Sequence, residues 1–156
     1  GDIYASAEVY YSLGAILAGV FIIRFFRNKN PIFGIILLML IVSFAFAGMT
    51  FIKSLWYFFI ANLILGLTNA GVRILRTTYL FNHIPNNIIG RTNSVFNSLD
   101  IMVRMCLIGL FAMPFFLTND NVRWGYLVGA VMVILAIVPL LLHYKSLVNL
   151  EKKGDI

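Results

Sequence analysis

Charge is what this sequence has least of. Only 12% of its 156 residues are Asp, Glu, Lys or Arg, 61% are hydrophobic, and the mean hydropathy is +0.93. A soluble domain carries about 25% charged and 45–50% apolar residues, so water cannot be the only solvent of this chain. Cysteine is almost absent: Cys106 stands alone and excludes an intrachain disulfide. Catalytic signatures are missing too, with no H-E-x-x-H, C-x-x-C, G-x-S-x-G or P-loop pattern. The two histidines, His83 and His143, fall in a turn and at a helix end, so no enzyme, metal centre or cofactor is expected. The excess of twelve Lys and Arg over six Asp and Glu gives a net charge of +6. These cations are scattered between apolar runs and form no basic stripe with interleaved aromatics, which argues against nucleic acid. The first residues lack a basic segment and lead into further apolar runs, so a cleavable export signal is not expected either.

Long apolar runs are what the sequence does have. Five follow one another, at about residues 3–23, 31–52, 55–81, 88–117 and 122–143. Each reaches the roughly 20 residues a helix needs to cross about 30 Å of hydrocarbon. Backbone groups in lipid must be satisfied within the segment, so the runs predict helices; barrel strands would be shorter and would alternate. The expected fold is an all-α polytopic membrane protein, with a bundle over residues 1–145 and a tail over 146–156.

Local signals place the breaks. In "RFFRNKNP", Asn30 reads as a helix N-cap and Pro31 as a first helical residue, where a missing N–H does no harm. "FIKS", "NHIPNN" and "LTNDN" supply the other breaks. Pro114 and Pro139 are expected inside helices near their ends, as kinks.

Basic residues set the orientation. The connections after the first and third runs and the tail hold Arg24, Arg27, Lys29, Arg91, Lys145, Lys152 and Lys153, whereas the other two connections hold Lys53 and Arg123. The positive-inside rule then places the first set, and the C-terminus, in the cytoplasm. An odd number of spans with its start outside leads us to expect further helices before residue 1.

Two runs carry polar lines. With Asn62 as origin and a turn of about 100° per residue, Asn69 lies near about −20°, Arg73 near about +20° and Arg76 near about −40°. On the next run, with Asn93 as origin, Asn97 lies near about +40°, Asp100 near about −20° and Arg104 near about +20°. Arg76 is shallow enough to snorkel to the interface, and Arg91 is interfacial. Arg104 is near mid-membrane, where a lone charge costs at least ~2.5–3.5 kcal/mol, and Asp100 one turn away is its local partner. Depth estimates also allow Arg73 to join them, so two readings stay open: a cavity lined by Asn69, Arg73, Asn97, Asp100 and Arg104, or a buried structural network. Glu8 in the first run is a further candidate for proton coupling or for ordinary contact with water. Gly14 and Gly19, with Ala15 and Ala18, suggest a small-residue packing face; Gly66 and Gly71 suggest close packing or bending around Asn69.

At this point the sequence resembles the C-terminal half of a major facilitator superfamily transporter. In "GVFIIRFFRN", Gly19, Arg24 and Arg27 match the superfamily's cytoplasmic G-x-x-x-D-R-x-G-R-R/K loop, while Ile23, Phe26 and Asn28 depart from it. "YLFNHIPNNIIGRTNSVFNSLD", residues 79–100, resembles the segment between helices ten and eleven of bacterial efflux members, with Pro85, Gly90, Arg91 and Ser94 matching. The resemblance implies helices eight to twelve of twelve, a partial six-helix half. It further implies a drug- or macrolide-efflux-like secondary transporter of the bacterial plasma membrane, completed by an N-terminal half. Small molecules and protons would be its partners besides the lipid bilayer. An uptake carrier for an anionic metabolite or sugar, and a non-transporting scaffold subunit, are the alternative readings.

Overall fold

The computed structural model describes residues 2–26, 30–117 and 121–148. Its helices are α1 (Asp2–Phe26), α2 (Pro31–Phe51), α3 (Leu55–His83), α4 (Asn86–Phe111), the single turn α5 (Pro114–Leu117) and α6 (Val122–Leu142). Residues 144–148 add one further helical turn. All the long helices, α1 to α4 and α6, are long and apolar enough to cross a membrane.

Local chemistry explains the helix starts. Asn30 Oδ1 accepts the Ile32 N–H at 2.8 Å, which satisfies one of the orphan donors at the start of α2, and Pro31 opens the helix as expected. Pro114 behaves differently from the expected kink. The helix stops at Phe111, and Met113 N–H turns back to the Leu110 carbonyl at 3.3 Å before Pro114 begins α5. A proline N lacks a hydrogen and its ring crowds the carbonyl four residues back, here Leu110, so the chain ends the helix instead of bending it. Pro139 stays within α6, as the sequence suggests.

Small residues decide the packing. α1 and α3 run parallel and touch through backbone: a Cβ on Gly14 would collide with the Leu63 carbonyl oxygen, and one on Gly66 with that of Tyr11. Ala18, one turn beyond Gly14, is fully buried on the same face. Gly19 is not part of it; it is exposed, with open space around it. Residues five apart differ by about 140° around a helix, so Gly14 and Gly19 cannot share a face, whereas Gly14 and Ala18 do.

α2 lies antiparallel between α3 and α6. Ala18, Ile22 and Phe26 of α1 meet Leu38 of α2 and Leu75 of α3 in one core cluster. Ile32 and Ile36 of α2 meet Ile137 of α6 in a second, against which Tyr144 and Leu147 pack, so the first residues of the expected tail rest on the bundle. Ser43 Oγ donates to the Ala130 carbonyl at 3.3 Å and Thr50 Oγ1 to the Arg123 carbonyl at 3.4 Å, fixing α2 against α6.

α4 stands apart. No residue of Asn87–Phe111 is buried, although the segment is apolar enough to span a membrane. Among the described residues, the Arg76 guanidinium of α3 sits 5.5 Å from the Phe96 ring centroid, Phe111 lies beside Gly125 of α6, and the Phe111 ring meets Phe116 of α5 edge-on at 5.3 Å. Large exposed apolar side chains elsewhere, such as Phe44 and Leu142, are ordinary for helices whose outer surface meets lipid.

Candidate functional site

The polar line of α3 lies beside, not within, the seam with α1. Gly66, Gly71 and Leu75 are buried, while Asn69 and Arg73 are exposed. Asn69 Nδ2 donates to Tyr11 Oη at 2.6 Å, a hydrogen bond between α3 and α1. Tyr10, the neighbour of Tyr11, stacks on Phe59 at 5.1 Å between centroids. Tyr11 escaped the sequence reading, although a tyrosine in an apolar span calls for a polar partner for its hydroxyl.

Arg73 follows Asn69 by one turn. It makes no ion pair or hydrogen bond among the described residues. Arg76 is half-buried; its Nε is buried without a hydrogen-bond partner, and the guanidinium lies over Phe96. A cation over an aromatic face is attracted by the ring quadrupole, so Arg76 couples α3 to α4 instead of simply extending toward an interface.

On α4, Arg104 Nη2 and Asp100 Oδ2 are 3.2 Å apart, the pair expected one turn apart on a helix. The side chains retain 71% and 66% of their exposure, so this is no buried network. Arg73 does not join them, which corrects the three-residue network that the depth estimate allowed. That estimate fixes each stripe on its own helix but not the rotation of one helix against the other. Asn93 and Asn97 on the same line are exposed as well.

The remaining candidates lie elsewhere. Glu8 is exposed on α1, and Gly19 and Arg24 are exposed near its C-terminal end. Arg27 lies outside the described residues. Pro85 occupies the N-cap position of α4, Gly90 is open, Ser94 Oγ donates to the Gly90 carbonyl at 3.0 Å, and Arg91 is exposed.

Set against known proteins, the chain matches no protein-family model, no curated protein and no solved structure. The chemistry of the site therefore rests on its own residues. These are amide, carboxylate and guanidinium groups on two neighbouring helices, on faces that stay exposed although Asn69 reaches Tyr11 of α1. In hydrocarbon each charge would cost ~2.5–3.5 kcal/mol or more. Such faces are stable against water or against further polar protein, and they can hold a polar or anionic solute.

Proposed function

We propose that this chain is one wall of a secondary active transporter for small molecules, with the exposed lines of α3 and α4 bordering a water-filled path. The observation that carries this reading is Arg73: a guanidinium on an apolar span, exposed, unpaired among the described residues, and one turn from the Asn69–Tyr11 bond. The architecture is read as a partial six-helix half of a major facilitator superfamily transporter. Its helices α1, α3 and α4 would take the second, fourth and fifth positions of that half, and further helices would close the path by alternating access. On this reading the protein exports small molecules across a bacterial plasma membrane, coupled to an ion, with the C-terminus cytoplasmic.

A second reading, an inward carrier of an anionic metabolite, is favoured by the charge balance of the site. Asp100 is matched by Arg104, which leaves Arg73 as the net charge available to cargo. Both readings require water at the two stripes. A single cysteine at Asn97, in a Cys106→Ser background, should react with a membrane-impermeant maleimide, while one at exposed, apolar Leu142 should not. An unreactive Asn97 position would remove the path and favour a subunit that docks another helix on α4.

A further inference from the structure

α1 turns Gly14, Ala18 and Ile22 into the bundle, while Gly19, Val20, Ile23 and Arg24 stay exposed and line a shallow recess of about 570 Å³. Gly19 makes the recess: it carries no side chain, and a Cβ placed there would meet nothing within 4 Å. Gly19 and Ile23, like Val20 and Arg24, are four residues apart and so share this face of the helix. The walls are apolar, and Val20 and Ile23 keep most of their surface open. Arg24 lies in the last turn of α1, which puts its charge at the end of the span, at headgroup depth. Gly19 lies five residues, about 7.5 Å, deeper along the helix axis.

The charge of Arg24 has no internal counterpart. It makes no ion pair or hydrogen bond among the described residues. The carboxylates among those residues are Asp2 and Glu8, toward the other end of α1, and Asp100, which pairs with Arg104. No Asp or Glu occurs anywhere in residues 9–99. The recess therefore offers one uncompensated cation at its mouth and hydrocarbon walls below it, a pattern that matches an amphiphile with an anionic head and an apolar chain.

We propose that this recess binds one anionic phospholipid, with the phosphate on Arg24 and an acyl chain lying over Gly19 between Val20 and Ile23. A guanidinium meets phosphate through two parallel N–H groups, and the gap at Gly19 lets the chain approach the helix backbone and gain dispersion contacts. A soluble phosphate would use Arg24 alone, and a zwitterionic lipid brings a cation of its own toward Arg24. The site is independent of the path proposed along α3 and α4.

The test places the protein in nanodiscs of phosphatidylcholine with increasing phosphatidylglycerol, reading retained lipid by native mass spectrometry and stability by thermal unfolding. Phosphatidylglycerol should be retained in preference to phosphatidylcholine and should raise the unfolding temperature by mass action. Arg24→Gln should weaken its apparent affinity about fivefold, as expected for one basic residue at a membrane surface. Gly19→Leu, which fills the recess without changing charge, should weaken it as well. Lys145→Gln removes an equally exposed cation at the same end of the bundle but away from the recess, and should leave the affinity unchanged. The proposal is overturned if phosphatidylglycerol is retained no better than phosphatidylcholine, or if Gly19→Leu keeps full affinity. It is also overturned if Lys145→Gln weakens binding as much as Arg24→Gln, which would mean diffuse attraction to the bilayer surface, or if inorganic phosphate alone reproduces the rise in phosphatidylcholine discs.

Discussion

Gly66 of α3 lies against the backbone carbonyl of Tyr11 in α1, closer than any residue bearing a Cβ would allow. Gly14 repeats the relationship in reverse against Leu63, so the seam between α1 and α3 is a contact of backbone on backbone. Leu and Phe side chains gain little from one another in lipid that lipid does not already offer them, and close approach of backbones supplies the packing instead.

Gly14→Ala or Gly66→Ala should therefore force the two helices apart. The expected loss is about 1–3 kcal/mol, offset in part by the roughly 0.8–1.0 kcal/mol gained when Ala replaces Gly in a helix. Gly19→Ala, on the open side of α1, should be neutral or slightly stabilising. Unfolding in mixed micelles distinguishes the two cases, and equal stability of all three variants would contradict the seam.

The Asn69–Tyr11 hydrogen bond should behave as a coupled pair. Tyr11→Phe and Asn69→Ala should each lower stability modestly, and a double-mutant cycle should give a coupling of about 0.6–1.7 kcal/mol, the range for polar contacts between membrane helices. Strict additivity would mean that the bond is replaced by water or does not persist in the bilayer.

Asp100→Asn separates two environments for α4. Because Asp100 and Arg104 are both largely exposed, in water the substitution should change stability by less than about 1 kcal/mol. Were the pair instead sealed inside protein, removing one partner would cost about 3–5 kcal/mol. Thermal unfolding of the protein in bilayer reads the difference, and the small change is the expected one.

Much of this architecture is legible in the sequence because it is local. The five apolar runs, the Asn30 cap and Pro31 need only neighbouring residues, and helix periodicity alone puts Asn69 and Arg73 on one line and Asp100 beside Arg104. Relations between helices are not local. Arg73 shares a depth with Asp100 without meeting it, because the rotation of α3 is set by Gly66 against α1 and by Gly71 against Leu38 and Ile22. Arg76 reads as an interfacial cation until Phe96 is found beneath it on the next helix. Tyr11 acquires its importance only when the glycine seam brings α1 within reach of Asn69.

Counterflow against a panel of small organic anions and drugs, measured on the protein carrying Arg73→Ala in reconstituted vesicles, tests the proposed transport function most directly. Arg73 is exposed and makes no ion pair or hydrogen bond among the described residues, so the variant should insert and unfold like the parent, while its transport rate or apparent affinity falls by about tenfold or more and Arg73→Lys recovers part of the loss. Unchanged rate and affinity in Arg73→Ala would contradict the account and leave the arginine to the docking of another helix.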